Sequence, residues 1–255
     1  MTIGFTSCNK DDDPIVSGAF DGVITAQVEN GNIYNNLVKR VTASLWDDDD
    51  DVEVVLASAP YANGGFTLTL PQTVDAKFLW PFDDDEFGPD VHISDKDAQT
   101  TYVSDVEAYS SSSGDFDDYD QVGYFNFYKD VFDGNEVTET GTYSYAYAMF
   151  MYADRDVNIA GTETSSETYE GVTYTYIARW SVSLKKGWNI VYDTGSSSYV
   201  NGERQEGTTY ESHFTTTPVS GLKWYGYMYD VYGSPAKQAK NVREGGHKRF
   251  GRLGR

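Results

Sequence analysis

The chain has 255 residues, of which 39% are hydrophobic and 15% aromatic. A chain of this length and composition can bury a sizeable core in one large or two ordinary domains, which excludes a disordered protein. It carries 40 acidic and 19 basic residues, and its net charge is −21. Because such a surface repels a phosphate backbone, we expect no nucleic-acid partner for the body of the protein.

The single cysteine, Cys8, lies in the sequence FTSCNKDDD near the first residue of the chain. One cysteine cannot form an internal disulfide, and the sequence has no CxxC pair that would bind zinc. FTSC resembles a bacterial lipobox, and the acids after it resemble the export signal of Bacteroidetes-type surface lipoproteins. The resemblance implies a lipid anchor on Cys8 that binds the membrane, and a surface-exposed place on the outer membrane. An incidental exposed cysteine is the alternative.

Residues 1–14 are interpreted as a truncated lipoprotein signal followed by an acidic tether. The stretch MTIGFTS supplies only the end of the apolar region of about 7–15 residues that a signal peptide requires. We therefore expect Met1 to be an internal start or the product of a trimmed gene model. No apolar run in the sequence is long enough to cross a bilayer as a helix.

Residues 15–80 alternate between apolar and polar side chains, which is typical of β-strands. The runs 38–46 and 52–62 predict two strands on either side of an acidic turn. In the following GFTLTLP, every second residue is apolar, so a third strand with one buried face is predicted. The order of these strands resembles carboxypeptidase regulatory-like and transthyretin-like β-sandwich domains, in which a GxFxLxLP-type strand is typical. The resemblance implies a β-sandwich lobe in this part of the chain.

Four aspartates before residue 121 have a spacing close to that of a calcium-binding loop. They are Asp115, Asp117, Asp118 and Asp120. Calcium prefers carboxylate oxygens, but the EF-hand pattern fails because Asp120 stands where that loop requires glycine. We expect solvated acidic turns here, with calcium binding as the alternative, and no other cofactor.

From residue 121 the chain becomes rich in tyrosine, and 17 of its 21 tyrosines lie between Tyr119 and Tyr232. The runs 142–157 and 172–184 alternate regularly, and each predicts a strand. Two further strands, also rich in tyrosine and threonine, are predicted near the end of this region.

One tight turn is predicted in the tyrosine-rich region. Lys185, Lys186 and Gly187 form a three-residue hairpin loop with Gly187 at positive φ. A loop of this length would place Trp188 on the same face as Trp180, so both tryptophans are expected in one core.

Together the runs predict an all-β protein of two tandem antiparallel β-sandwich lobes, immunoglobulin-like or transthyretin-like. The first lobe covers residues 15–120 and the second covers 121–233, with one larger sandwich as the alternative. Residues 234–255 break the pattern, since they hold seven basic residues and one acid. We expect this tail to be disordered, with a functional basic arm as the alternative.

Three tyrosines alternate with apolar residues near the end of the second lobe. Tyr225, Tyr227 and Tyr229 share one face of a predicted strand, opposite Trp224 and Met228. If the latter pair faces the core, the tyrosines form an exposed row, spaced about 6.5–7 Å apart, on which a glycan can stack. Burial of both faces, or cross-strand packing by tyrosine, is the alternative.

Motifs of common enzyme classes are absent from the sequence, including HExxH, GxSxG, the P-loop and GxGxxG. We therefore expect no catalytic residues and a non-catalytic, lipid-anchored surface protein, with a glycan as its ligand. Surface lipoproteins of this build often capture glycans or mediate adhesion, which is what the resemblance implies. The main alternative is a structural or adhesive, fimbria-like subunit that binds a surface protein. A glycoside hydrolase accessory domain is a further alternative.

The lipobox interpretation predicts that Cys8 is acylated when the protein is expressed with a complete signal peptide. Metabolic labelling with a palmitate analogue should mark the wild type and leave Cys8→Ser unmarked, because the thiol is the attachment atom. The chain has one cysteine, so no second thiol can take the label. Equal labelling of the two proteins would contradict the interpretation.

Overall fold

The computed structural model describes residues 19–47, 52–82, 87–112, 120–135, 140–169, 171–200, 203–204 and 209–229. These segments form β-strands and two short 3-10 helices, so the expectation of an all-β protein is confirmed. None of them contains a helix that is long and apolar enough to span a bilayer. Several residues discussed above lie outside the described segments: residues 1–14 with Cys8, Asp115, Asp117, Asp118, and the tail 234–255.

The strands are numbered in chain order. Those of the first half are β1 Val23–Gln27, β2 Arg40–Asp47, β3 Val52–Pro60, β4 Gly65–Thr69, β5 Trp80–Pro81, β6 Val91–Ile93, β7 Gln99–Val103 and β8 Val106–Tyr109. Those of the second half are β9 Gln121–Asn135, β10 Thr140–Ala153, β11 Val157–Tyr169, β12 Val172–Leu184, β13 Gly187–Val200, β14 Glu203–Arg204, β15 Thr209–Thr215 and β16 Lys223–Met228. The 3-10 helices are Gly31–Tyr34 and Ala76–Phe78.

Fourteen strands form one large sheet, and β1 pairs with β4 in a separate two-stranded sheet. The order along the large sheet is β3-β2-β8-β9-β10-β13-β15-β12-β11-β6, with β16 on β9, β7 on β10, β5 on β7 and β14 on β13. The strand pairs are antiparallel except that β12 and β15 are parallel. Val106 of β8 lies opposite Phe125 of β9. The sheet is therefore continuous across residue 120, and the division into two lobes stays a prediction.

The two sheets pack face to face around the first core cluster. Period-two alternation in β1 and β4 points Ile24, Phe66 and Leu68 toward the large sheet, and all three are buried. There the Phe66 ring meets Phe125 of β9 at 5.7 Å and Trp224 of β16 at 5.3 Å between ring centroids. The alternation in GFTLTLP therefore builds one wall of this core.

A second core cluster lies on the opposite face of the large sheet, because neighbouring residues on a strand point to opposite sides. Its floor includes Met149, Met151, Trp180, Val182, Leu184, Val191 and Phe214. Its cover is the segment between β5 and β7, and includes Phe82, Phe87, Ile93 and Ala98. The Phe87 ring packs edge-on against Trp180, with 5.1 Å between centroids. The strands of the floor continue beyond this cover.

The turn between β12 and β13 differs from the predicted hairpin. In the structure β15 lies between these strands, so they are not neighbours in the sheet. The loop has two residues, Lys185 and Lys186, and Gly187 begins β13 with φ at 100°. A loop shorter by one residue reverses the alternation, so Trp188 packs in the first core cluster and Trp180 in the second. The predicted positive φ is confirmed, and the predicted strand pairing and shared tryptophan face are wrong.

At this turn, the Asn189 side chain bonds to main-chain groups that would bond to each other in a hairpin. This side chain is fully buried and accepts a hydrogen bond from the Lys185 backbone nitrogen at 2.8 Å. It donates to the carbonyl oxygens of Lys185 and Gly187 at 2.8 and 2.9 Å. One amide thus satisfies main-chain groups that strand pairing would otherwise satisfy. This lets β12 and β13 diverge, so that β15 can enter between them.

Removing this amide should destabilise the fold, because partly buried main-chain groups would lose their partners. We expect Asn189→Ala to lower the free energy of unfolding by about 2–4 kcal/mol, since each unsatisfied buried group costs about 1–3 kcal/mol. Urea denaturation measures this change. Asn158→Ala, at an exposed position of β11, is the matched control and should change stability by less than about 0.5 kcal/mol. A neutral Asn189→Ala would show that the turn does not depend on the amide.

Candidate functional site

Beyond the cover of the second core cluster, the same face of the large sheet is rich in tyrosine. The register places the tyrosines on one side, because residues directly opposite each other on paired strands point the same way. Tyr147 of β10 lies opposite Tyr128 of β9, and Tyr176 of β12 lies opposite Tyr210 of β15. We call this surface the tyrosine face. Its members are Tyr124, Tyr128, Tyr143, Tyr145, Tyr147, Tyr174, Tyr176, Tyr210, Tyr225, Tyr227 and Tyr229.

The three tyrosines singled out in the sequence lie at one side of this face. Trp224, which directly precedes Tyr225, is buried, whereas Tyr227 and Tyr229 are 47% and 40% exposed. Their rings contact Tyr124 of β9, at 5.1 Å from Tyr227 and 6.2 Å from Tyr229 between centroids. Tyr225 packs in the same way on a β9 tyrosine, with 4.7 Å between centroids. The result is a cluster shared by two strands rather than a row along one strand.

A second group of tyrosines lies on β10, β12 and β15. The Tyr145 ring lies over Gly195 of β13, where a Cβ atom would be 2.6 Å from the Tyr145 hydroxyl. A glycine at this position therefore lets the ring cross β13 and share a hydrogen bond with Ser212 of β15 at 3.3 Å. The rings of Tyr176 and Tyr210 stack at 5.2 Å. Aromatic side chains thus reach from β16 to β12.

Sequence reasoning found only part of this surface. The alternation in 142–157 places Tyr143, Tyr145 and Tyr147 on one face, as the register shows. Tyr124 and Tyr128 were missed, because they join the surface through the pairing of β9 with β16, whose residues are distant in sequence. The one available signal was the concentration of tyrosine after residue 119.

Carboxylates lie beside the tyrosine hydroxyls. Three hydroxyls donate to acids on the same face: Tyr147 to Asp105 at 2.8 Å, Tyr143 to Asp130 at 3.1 Å, and Tyr176 to Glu167 at 2.6 Å. Burial, and then the charge of Asp105, raise the pKa of Tyr147 well above its ordinary value. The hydrogen bond to Glu167 raises the pKa of Tyr176 to about 12. These two phenols keep their protons at neutral pH.

Asp193 of β13 lies in the middle of the tyrosine face, opposite Tyr147 on one side and Phe214 on the other. Burial raises the pKa of Asp193 to about 7, and a hydrogen bond with Tyr145 opposes this shift. Its Oδ1 atom is buried without a hydrogen-bond partner. The charge at the centre of the face therefore changes near neutral pH.

Glu107 of β8 forms a second buried acidic centre, nearer the β3 edge of the sheet. Its Oε2 atom accepts hydrogen bonds from the hydroxyls of Thr42 at 2.8 Å, Ser44 at 2.9 Å and Tyr109 at 3.2 Å. Burial, and then the neighbouring carboxyl of Glu53, raise the pKa of Glu107 to about 8. The two carboxyls are hydrogen-bonded, so they are closer than the about 5 Å or more that separates the paired acids of glycosidases.

The calcium alternative cannot be placed on the described residues. Among them, no group of three or more histidines, cysteines, aspartates or glutamates could hold a metal ion. Asp120 is described, and its carbonyl oxygen accepts a hydrogen bond from the Ser110 backbone nitrogen at 2.9 Å. The other three aspartates of the set lie outside, so calcium binding stays a prediction.

The fold and the face define the class of the molecule: an all-β protein with an aromatic and acidic sheet surface. No family model, curated protein or solved structure matches the chain.

The buried Glu107 predicts that stability falls as the pH rises through neutrality. A carboxyl whose pKa is raised in the folded state stays protonated up to a higher pH when the protein is folded. The free energy of unfolding therefore decreases as the pH rises from the ordinary pKa of 4.5 to about 8. Glu107→Gln keeps a neutral group there. We expect this variant to be roughly 1–3 kcal/mol more stable than the wild type at pH 8, and closer to it at pH 5.

Urea denaturation at the two pH values measures the effect. Glu211→Gln is the matched control, because it removes the same charge from an exposed position. An equal gain in both variants would show that relief of the overall negative charge, and not the buried site, is responsible.

Proposed function

We propose that this protein is a non-catalytic, lipid-anchored cell-surface protein that binds a glycan on its tyrosine face. The observation that carries the proposal is a set of tyrosine rings on five neighbouring or nearly neighbouring strands, exposed at Tyr227 and Tyr229. Aromatic rings offer flat apolar surfaces on which the faces of sugar rings stack. The six strands from β16 to β12 span about 24 Å at about 4.8 Å per strand, which is long enough for several sugar rings.

The two faces of the same strands differ in a way that supports a binding role. On the face opposite the tyrosines, β10 and β12 carry the small polar residues Thr142, Ser144 and Thr173, which are exposed. Threonine suits a strand as well as tyrosine does. Strand formation alone therefore does not account for the rings, which supports a binding role.

The membrane anchor and the outer-membrane location belong to the proposal. They are supported by the lipobox resemblance around Cys8 and the acidic residues after it. An anchored protein would hold the tyrosine face outside the cell, where polymeric glycans occur.

A structural or adhesive subunit is the second candidate, and the edge of β11 favours it. β6 pairs with β11 only at residues 159–161. Within the described residues, no strand pairs with the outer edge of β11 beyond that point, where Thr164 to Thr168 are exposed. Another protein could add a strand to such an edge.

Truncating an exposed ring should weaken glycan binding without unfolding the protein. A glycan array probed with the soluble Cys8→Ser protein identifies ligands, and calorimetry gives their Kd. We expect Tyr227→Ala to weaken binding about tenfold, which corresponds to about 1.4 kcal/mol, a typical value for one aromatic contact. Tyr227→Phe should bind nearly as well as the wild type, because it keeps the ring.

Ile33→Ala is the control, because Ile33 is 69% exposed and lies outside the tyrosine face. An array without any bound glycan, or a Kd that Tyr227→Ala leaves unchanged, would contradict the proposal. Assembly of the purified protein into fibres through the β11 edge would favour the adhesive candidate instead.

A further inference from the structure

The tyrosine face carries carboxylates among its aromatic rings. A phenol has one hydroxyl hydrogen. Tyr143 and Tyr176 donate theirs to Asp130 and Glu167, and Tyr147 shares its own between Asp105 and the Ser104 carbonyl oxygen. The carboxylates of Asp130 and Glu167 are at exposed positions, so the face combines ring surfaces with negative charge. A ligand that carries positive charge therefore suits this face.

The basic side chains of the same strands do not offset this negative charge. Lys129 of β9 and Arg179 of β12 alternate with the tyrosines, so they lie on the opposite face. Lys223, at the margin of the tyrosine face, forms an ion pair with Glu29 at 3.1 Å. An anionic ligand would meet carboxylates here, and like charges brought together oppose binding.

We infer that the tyrosine face is built for a glycan whose sugar rings carry free amino groups. This inference rests on the glycan binding proposed above and adds the chemical class of the ligand. An ammonium group supplies three donors, is attracted by the carboxylates, and is attracted by the faces of aromatic rings. A neutral glycan stacks on the rings but is not attracted by the carboxylates, and uronic or sulfated glycans are repelled by them.

A basic peptide would bring the same charges, but the geometry favours a polysaccharide. The main chain of β10 is paired on both sides, with β9 and with β13, over residues 141–147. An extended peptide lying across the face would therefore find no main-chain partners, which it needs for strand addition at an edge. A sugar chain needs none, because it binds through ring stacking and its own substituents.

Three hexasaccharides test the inference: β-1,4-linked glucosamine, its N-acetylated form, and a uronic acid oligomer. Calorimetry is carried out on the soluble Cys8→Ser protein at pH 6 and low salt. The glucosamine hexamer should bind at least about tenfold tighter than the N-acetylated one, and the uronic acid oligomer should not bind. High salt should reduce the tenfold preference severalfold, because it screens exposed charges.

A pair of double variants shows whether the face or the overall charge is responsible. Asp130→Asn with Glu167→Gln should lose the preference for amino groups and keep the affinity for the N-acetylated hexamer, since the rings remain. The matched control, Asp133→Asn with Glu211→Gln, removes the same two charges from the opposite face. It should keep the preference.

Equal affinity for the two glucosamine-based hexamers, or an equal loss of preference in both double variants, would overturn the inference and leave glycan binding intact. Array ligands confined to neutral or acidic glycans would overturn it in the same way. If no glycan binds, both the inference and the proposed function fail. Binding of a lysine decapeptide in the absence of any glycan binding, weakened by Tyr227→Ala, would assign the face to basic proteins and overturn both.

Discussion

The central strands of the large sheet are longer than the segment that covers them, and the tyrosine face depends on this difference in length. β9 to β13 have 13 to 15 residues each, which corresponds to about 43–50 Å of strand. The cover between β5 and β7 reaches one end of them, where the floor consists of Met149, Met151 and Leu184. Beyond this cover, the same face of the sheet is in contact with water. Side chains there must pack against their neighbours and also tolerate solvent. Tyrosine does both, because its ring is apolar and its hydroxyl is polar.

The acids follow from the same requirement. A partly buried hydroxyl needs a hydrogen-bond partner, and the sheet supplies carboxylates for several of these tyrosines. Burial then acts on the acids themselves, as the raised pKa values of Asp193 and Glu107 show. The tyrosine face, which borders the second core cluster, is therefore both aromatic and acidic. This combination is the basis of the ligand class proposed above.

Local patterns in the sequence predicted the all-β class, the buried face of GFTLTLP and the positive φ of Gly187. They also grouped Tyr143, Tyr145 and Tyr147 correctly, because a strand's alternation is a local property. The errors concern strand pairing, which is not local. One residue fewer in the loop moved Trp188 to the other core. The Tyr124 cluster and the Glu107 centre depend on partners distant in sequence, and alternation carries no information about such partners.

The position of β15 also imposes an order on folding. β12 and β13 are synthesised before residues 209–215, which lie between them in the finished sheet. There the two strands are separated by two strand spacings, or about 9.6 Å. A chain that ends before residue 209 has the direct β12–β13 hairpin as its nearest competing structure. Folding of this part of the sheet must therefore wait for the last strands, so it is completed after synthesis of most of the chain.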